Sequence, residues 1–306
     1  MKKNKTFKTY EEQIEILNSK GLITDSNSLG ILKRNNYYFL INRYKDLFIV
    51  PNSKPNRFNE GTHFNEIVSI YDFDRELRMI LLKYIITIEN TLKSIISHEF
   101  SKKYSHEYMN INSFETLNND KVRAREIKGL FNTIYRTIKK GIKYNNYVKY
   151  YHNNYNSIPL WVIINDLSLG NVIGFYHCMH KEDQEMVSKE FGISSDELYK
   201  YLRVLHYFRN LSAHNQRTFD EKSKEFITRC EIHEKLCLDK EEGLNDIMSV
   251  LITCSKLLEK KYFVMLASEL MFALNLLDEN VNTIDMESIY KKMGINENWI
   301  ILSEKA

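Results

Sequence analysis

The sequence predicts an all-α fold, and three observations support that prediction. Only 3 prolines and 10 glycines occur in 306 residues, too few for the repeated tight turns of a β-sandwich or barrel. Hydrophobic residues make up 43% of the chain and aromatic residues 12%, which is enough to build a sizeable core. Apolar residues recur at the period of an amphipathic helix over several long stretches. Long helices joined by polar loops are therefore expected.

The N-terminal part, residues 1–50, is expected to form a helical module. Thr9 and Glu12 form a capping-box pattern in front of an apolar run, so a first helix is predicted there. A second helix is expected over residues 29–44. The proline-containing stretch 51–56 is the clearest loop in the chain and marks the boundary to a main domain.

The main domain is predicted over residues 62–220, and it begins with one long helix. From Phe64 to Ile96 the apolar residues keep a helical period for about nine turns. The first half of this helix carries the charged residues Asp72, Asp74, Arg75, Glu76 and Arg78. Ion pairs on a helix surface are favoured for them over a catalytic role.

Basic charge is concentrated in residues 121–151, which we interpret as an inserted helical segment. It contains nine Lys or Arg and one acid, a charge of +8, whereas the whole chain carries +3 and the remainder therefore −5. Tyrosines are interleaved with these charges: Tyr135, Tyr144, Tyr147, Tyr150, Tyr151 and Tyr155.

Cations that neutralise phosphates, placed among rings on which unpaired bases stack, indicate single-stranded RNA as a partner. The candidate RNA contacts in this segment are Arg136, Lys139, Lys140, Lys143 and Lys149. The alternative, left open by the sequence, is a solvated helix face whose tyrosines pack inward.

The remaining helices are placed by their apolar spacing. Residues 145–157 are expected to be a connector, and Pro159 is expected to open a helix that Gly170 closes or kinks. Further helices are predicted over residues 196–217, 247–258 and 262–277. The C-terminal region, residues 221–306, is expected to pack on the main domain.

Residues 196–217 carry the chain's most informative chemical pattern, Arg209 and His214 with four residues between them. Arginine binds phosphate, and histidine exchanges protons near neutral pH. Together they suggest metal-free RNA cleavage, in which one group stabilises a phosphorane-like charge and the other transfers a proton. The alternative is an ordinary surface histidine on a helix.

On an ideal helix, five polar residues of this stretch share one face roughly 80° wide. They are Arg203, His206, Asn210, His214 and Arg217, and the first two and the last are candidate RNA contacts. The opposite face is apolar: Tyr201, Val204, Leu205, Phe208 and Leu211. Packing of the apolar face is expected to hold the polar face toward solvent, a cleft or a second subunit.

Arg209 does not fit this face, because it lies about 140° from His214 on an ideal helix. Three explanations remain open at this point. The helix is distorted, or Arg209 reaches around its edge, or the working pair combines groups from two copies across a two-fold axis. The last explanation is preferred, so a homodimer is expected.

Other types of site are weakly supported. The four cysteines show no Cys-x-x-Cys pair, which favours reduced thiols and a cytoplasmic location. No membrane span is expected. The string from His177 to His180 lacks a second cluster with zinc spacing, so no metal is expected. There is no glycine-rich phosphate loop, so neither a nucleotide nor any other cofactor is expected.

The string Phe208-Arg209-Asn210-Leu211-Ser212-Ala213-His214-Asn215-Gln216-Arg217 resembles the Arg-Asn-x-x-Ala-His-x-x-Arg signature of abortive-infection proteins of the AbiD/AbiF group, in the HEPN superfamily of helical ribonucleases. The likeness extends over most of the chain. It includes the opening residues 9–14, the helix start 71–78 with Ile88-Glu89, the stretches 159–161 and 167–170, and the closing residues 293–299.

The resemblance implies a four-helix HEPN core with added N- and C-terminal helices, and a two-fold dimer that brings two motifs together. It also implies a metal-independent endoribonuclease that acts as a toxin in phage defence and leaves 2′,3′-cyclic phosphate ends. Arg209 would stabilise the phosphate charge, Asn210 would orient the site and His214 would act as acid or base. A small non-coding RNA is an implied partner.

Two points limit this resemblance. After Arg217 many relatives continue with Leu or Val, Trp and Asn, whereas this chain has Thr218, Phe219 and Asp220. The edge of the site is therefore expected to differ. The competing interpretation of the same resemblance is a helical scaffold that binds RNA without cleaving it.

Overall fold

The fold, a computed structural model, is described over residues 6–116 and 121–305. Within these ranges the regular structure consists of helices, and no β-strand is present. The predicted all-α class is confirmed. Residues 1–5 of the predicted N-terminal module lie outside the described ranges, as does Ala306.

The α-helices are α1 (Tyr10–Ser19), α2 (Ser28–Arg34), α3 (Phe64–Tyr104), α4 (Lys121–Tyr144), α5 (Asn146–Asn154), α6 (Leu160–Ile163), α7 (Leu169–Cys178), α8 (Lys181–Lys189), α9 (Ser195–Ala213), α10 (Glu231–Lys235), α11 (Ile247–Leu257), α12 (Lys260–Asp278), α13 (Met286–Met293) and α14 (Ile301–Lys305). Short 3-10 segments are Lys45–Phe48, Ile111–Ser113, Ile164–Asp166 and Glu297–Ile300, and Tyr38–Asn42 forms a π-turn.

Helix α3 is the central rod of the molecule. It has 41 residues, and its apolar positions are buried along the whole length because they recur at helical spacing. The helix packs along α9 and α12, and it also contacts α6, α8 and α11. The predicted long helix is confirmed, and it runs about two turns further than Ile96.

The N-terminal module agrees with the prediction at its start and differs from it later. Thr9 and Glu12 form the expected capping box, with the Glu12 backbone N–H donating to Thr9 Oγ1 at 3.2 Å. The second helix was predicted to reach Tyr44 but ends at Arg34. Asn35 adopts an extended backbone, and the Asn36 side chain accepts a hydrogen bond from Tyr38 N at 2.9 Å, which starts a new turn.

Two predictions for the middle of the chain are wrong. Most of the expected connector 145–157 is helix α5, because Asn145 caps it by accepting hydrogen bonds from the next turn's backbone. Gly170 neither closes nor kinks the helix that Pro159 opens. It lies in the first turn of α7, which Ser168 caps.

The buried apolar residues form one cluster that contains members of all three predicted regions, from Leu17 to Leu302. The boundaries at residues 50, 62 and 220 stay predictions. The helices predicted over 247–258 and 262–277 are confirmed as α11 and α12. Throughout the described ranges, every helix is too short or too polar to cross a lipid bilayer.

Candidate functional site

Helix α9 carries most of the candidate site and is firmly held at its start and along one side. Ser194 and Glu197 form a capping box, with Glu197 N donating to Ser194 Oγ at 3.2 Å. The five residues predicted for its apolar face, Tyr201, Val204, Leu205, Phe208 and Leu211, are all buried, as expected. The helix packs against α3, α7, α8 and α11, and Arg203, His206 and Asn210 of its polar side are half-buried.

The helix ends four residues earlier than predicted. Ala213 is its last residue, His214 caps it, and Asn215 has a left-handed backbone with φ 53°. The Gln216 N–H donates to Leu211 O at 3.1 Å, which closes the turn. Asparagine tolerates the left-handed conformation better than most residues, so Asn215 was the signal in the sequence for this end. His214 therefore stands at the helix terminus, and Arg217 lies beyond it.

His206 and Asn210 are brought together on the polar side of α9. Asn210 Nδ2 lies 3.1 Å from His206 Nε2, and because an amide nitrogen only donates, the ring nitrogen accepts. The ring packs against Gly170 of α7, where an added Cβ would lie 2.7 Å from His206 Nε2. Burial lowers the pKa of His206, and the charges of Arg203 and Arg209 lower it further. The ring is neutral near pH 7.

An ion pair that was not predicted lies near this histidine. Lys93 Nζ and Glu89 Oε1 of α3 are 2.7 Å apart, and both side chains are buried. The Glu89 carboxylate raises the pKa of His206 slightly, against the stronger lowering effects. Lys93 also donates to Asn165 O at 3.3 Å. A buried acid-base pair four residues apart on α3 thus borders the polar side of α9.

The three arginines of the motif region have different surroundings. Arg203 pairs with Glu225. Arg217 pairs with Asp46 at 2.6 Å and also with Asp220. The Arg209 side chain has no hydrogen bond and no ion pair with any described residue, although its Nε atom is buried.

His214 is exposed, and its ring makes no hydrogen bond within the described part of the chain. The segment after it is held tightly. Arg43 Nη1 donates to Asn215 O at 2.7 Å, and Arg78 Nη1 donates to Gln216 O at 3.1 Å. Arg217 in turn donates to Arg43 O. The N-terminal module and α3 thus fix the backbone that follows the histidine, a role that sequence reasoning did not assign to Arg43.

The interpretation of Asp74 and Arg78 as surface ion pairs is wrong. Both are buried, and they pair with each other inside the protein. Asp74 also accepts hydrogen bonds from Thr218 N at 3.1 Å and from Phe219 N at 2.9 Å. Tyr44 donates to the same carboxylate at 2.6 Å. Their spacing with the apolar positions of α3 was the available signal, since it places them on the buried side.

Of the other charged residues near them on α3, Asp72 and Arg75 behave as predicted, whereas Glu76 is exposed but forms no ion pair with a described residue. Asp72 and Arg75 form an exposed pair at 3.0 Å. The departure from the family pattern after Arg217 is accommodated in the packing: Phe219 is buried, and its ring stacks on that of Tyr44 with centroids 6.4 Å apart.

Helices α4 and α5 present the predicted basic surface. The five candidate RNA contacts there, Arg136, Lys139, Lys140, Lys143 and Lys149, are exposed and form no ion pair with any described residue. Five tyrosines are exposed beside them: Tyr135, Tyr144, Tyr147, Tyr150 and Tyr155. The alternative in which the tyrosines pack inward is therefore wrong for these five, and only Tyr151 is partly buried.

Some of these rings lie directly beside the cations. Lys139 Nζ is 4.5 Å from the centroid of the Tyr135 ring, and Lys143 Nζ is 5.0 Å from that of Tyr144. Rings and charges thus share one solvent-facing surface, the combination used to bind unpaired nucleotides.

The other described parts of the molecule offer weaker candidate sites for a metal, a ligand or a disulfide. In residues 6–116 and 121–305, no three His, Cys, Asp or Glu side chains are grouped to hold a metal ion. A groove of about 780 Å³ lies between α3 and α12, but none of the predicted site residues lines it. The four cysteines are free thiols, and Cys178 and Cys254 are buried.

Comparison with known proteins identifies the family to which this helical chain belongs. A family model described as Abi-like protein matches residues 30–220. The match covers more than half of the chain, so this chain belongs to the Abi-like protein family. The abortive-infection resemblance is thereby confirmed, and a role in abortive infection is supported. No curated protein and no solved structure matches the chain.

Proposed function

We propose that this chain is an endoribonuclease of the Arg-x4-His HEPN type, independent of metal, that acts as an abortive-infection toxin. The observation that carries the proposal is the unpaired side chain of Arg209. The Arg209 Nε atom is buried without a hydrogen-bond partner among the described residues, and an unsatisfied buried donor costs about 1–3 kcal/mol of folding free energy. Such a donor inside this motif supports a ligand as the missing partner, and a phosphate suits arginine best.

The two motif groups suit cleavage by an internal attack. The 2′-oxygen loses its proton and forms a bond to phosphorus, the bond from phosphorus to the 5′-oxygen breaks, and the leaving oxygen takes up a proton. The products are a 2′,3′-cyclic phosphate and a 5′-hydroxyl. His214, exposed at the end of α9, transfers a proton, and Arg209 stabilises the charge on the phosphate oxygens. Asn210 orients His206 beside them.

A homodimer completes this site. His214 lies at a helix end that faces solvent, where a second copy related by a two-fold axis brings another motif close. In such a dimer Arg209 of one protomer and His214 of its partner act on the same phosphate. This arrangement removes the difficulty of joining two groups that point in different directions on one helix.

The basic tyrosine-rich surface of α4 and α5 holds RNA in this proposal, either the substrate or a bound small non-coding RNA. Its lysines and Arg136 neutralise phosphates, and its exposed rings stack on bases. Of the three residues assigned to RNA on α9 and after it, His206 fits this role best. The Arg203 guanidinium is paired with Glu225, and that of Arg217 with Asp46 and Asp220.

Cleavage of a labelled, mixed-sequence single-stranded RNA in EDTA tests the proposal. Wild-type protein is expected to cut it, and Arg209→Ala and His214→Ala are each expected to lower the rate by at least about a hundredfold. Exposed residues of the same types give matched controls, Arg75→Ala and His98→Ala, which should cut normally. Mass spectrometry of the fragments should show cyclic phosphate ends.

A second candidate function is RNA binding without cleavage, and the basic tyrosine-rich surface favours it. The same assay separates the two. Tight RNA binding by a wild-type protein that leaves the RNA intact, under conditions that include EDTA or added magnesium, would establish the scaffold and reject the nuclease.

A further inference from the structure

A cavity of about 340 Å³ lies between α4, α7 and α9. The residues that give its wall chemical character are Thr133, Asn171, His177, Tyr199, Arg203 and His206. Three helices that are distant in sequence thus contribute polar groups to one solvent-accessible space. His206 and Arg203 place it on the polar side of α9, directly before the Arg209 motif.

The wall combines a flat aromatic surface with groups that form hydrogen bonds. The rings of His177 and Tyr199 are stacked, with centroids 4.5 Å apart and an angle of 18° between their planes. Burial lowers the pKa of His177, and the charge of Arg123 lowers it further. His177 and His206 are therefore both neutral near pH 7. A neutral imidazole has one donor and one acceptor, which suits the edge of a nucleobase better than a phosphate. In His206 the acceptor Nε2 is taken by Asn210, so the Nδ1–H group is the donor that remains for a base.

Two glycines, Gly129 and Gly174, line this cavity. A Cβ added to Gly129 of α4 or to Gly174 of α7 would meet no described atom within 4 Å. Neither glycine has the positive φ that would explain its use. Glycine inside a helix lowers stability relative to alanine. A larger side chain at either position would therefore extend from the cavity wall without a clash at its Cβ.

The cavity continues along α4 toward the basic surface. Glu126 and Thr133 line the cavity, while Thr137, Lys140 and Tyr144 line a second hollow of about 300 Å³. These positions are spaced by seven, four, three and four residues, so they lie on one side of α4. A strand of RNA along this side would pass from the exposed lysines and tyrosines to the cavity.

The cavity also lies close to the motif along α9. From His206 to His214 the axis of α9 rises about 12 Å. The wall residue His206 therefore lies about two helical turns from His214 along α9.

We propose that the cavity between α4, α7 and α9 binds one unpaired base of the RNA, with the His177–Tyr199 stack as a flat wall and His206 as a hydrogen-bonding group. The inference rests on RNA being the ligand in the proposed function, but it does not require cleavage. It makes the cavity the place where the protein selects an unpaired nucleotide close to the cleavage site.

Filling the cavity tests this inference. Gly174→Leu and Gly129→Leu each place a side chain in the cavity, and Gly30→Leu is the matched control, since a Cβ there also meets nothing described within 4 Å and Gly30 lies on α2. Affinity is measured by fluorescence anisotropy with single-stranded RNA that carries 2′-fluoro groups and so lacks the attacking hydroxyl. We expect each cavity variant to bind at least about tenfold more weakly and the control to bind normally.

Cavity variants that bind as tightly as Gly30→Leu would overturn the inference. A thermal melt of each variant checks that it folds. If leucine prevents folding, the milder Gly129→Ala/Gly174→Ala double variant, which adds two methyl groups, replaces the leucine variants.

A second experiment uses wild-type protein and RNAs with a single abasic position moved along the strand. We expect an abasic group at one position of the RNA to lower the affinity of wild-type protein about tenfold. The same abasic RNA should lower the affinity of Gly174→Leu no further, because its cavity is already filled. Equal affinity at every abasic position would also overturn the inference.

A free nucleotide is the other source of a base. If nucleoside monophosphates raise the melting temperature of wild-type protein while Gly174→Leu keeps full affinity for single-stranded RNA, the cavity binds free nucleotides and the inference fails. Binding to 2′-fluoro RNA is independent of cleavage. A failed cavity test therefore leaves the proposed nuclease in place, and an inert wild-type protein in the cleavage assay leaves the cavity test valid.

Discussion

The Asp74 carboxylate accepts a hydrogen bond from the backbone N–H of Thr218 at 3.1 Å, although 144 residues separate them. Asp74 lies in the first third of the longest helix, and Thr218 lies four residues after His214. The same carboxylate is paired with Arg78, which donates to Gln216 O. The position of the chain that leaves the candidate site is thus set by a buried charged pair on another helix.

Removal of the Asp74 charge should destabilise the whole protein. Asp74→Asn leaves Arg78 buried without its partner, and we expect a loss of about 3–5 kcal/mol in the free energy of unfolding. Denaturant unfolding measures it. Asp72→Asn, in an exposed pair on the same helix, should cost less than about 1 kcal/mol. Equal losses in the two variants would show that the buried pair has no special role.

Mixing two inactive variants should restore RNA cleavage. If the site combines Arg209 of one protomer with His214 of its partner, a heterodimer of Arg209→Ala and His214→Ala contains one intact site. An equal mixture of exchanging subunits should then recover about a quarter of the wild-type rate. The measurement is cleavage of labelled RNA after mixing, alongside each variant alone. Absence of recovery, despite subunit exchange, would place both groups in one protomer.

Charge removal on α4 should change the salt dependence of RNA binding. Each phosphate contact that is lost should flatten the slope of log affinity against log salt by roughly one. The test variant replaces Arg136, Lys139, Lys140 and Lys143 with Gln. The control replaces four exposed lysines elsewhere, Lys33, Lys54, Lys189 and Lys224, and so removes the same charge. The same slope in both variants would mean that only net charge attracts the RNA.

The protein should lose stability in mild acid through two half-buried histidines, His206 and His177. The pKa of His206 is lowered in the folded protein, so the unfolded chain binds more protons below about pH 6.5 and acid favours unfolding. The stabilising contribution is present above that pH and is lost as the pH falls. His206→Asn should therefore lose less unfolding free energy between about pH 7.5 and about pH 5.5 than wild type does.

His206→Asn should still lose some unfolding free energy as the pH falls, because burial lowers the pKa of His177 as well. Denaturant unfolding at both pH values gives the comparison. His152→Asn, a change on the exposed side of α5, serves as the control and should keep the wild-type difference. If His206→Asn and wild type lose the same unfolding free energy between the two pH values, protonation of His206 does not contribute to the acid sensitivity.

Several features could be predicted from the sequence because their causes are local. The Thr9 and Glu12 cap, the long helix from Phe64 and the buried face of α9 follow from contacts between residues three or four positions apart. The end of α9 also has a local cause, the left-handed backbone of Asn215. The sequence predicted a longer helix because polar residues keep a helical spacing as far as Arg217. The helix ended where the left-handed residue allowed the chain to turn.

The sequence by itself determined the helical class, the phase of each long helix, and the membership of the Abi-like protein family, whose model matches residues 30–220. Only the tertiary structure decided which charges are free. Arg203 and Arg217 are paired by Glu225 and Asp46, whereas Arg209 has no partner among the described residues. The physical reason is that helical period depends on near neighbours, while the pairing of a charge depends on which distant segment packs beside it.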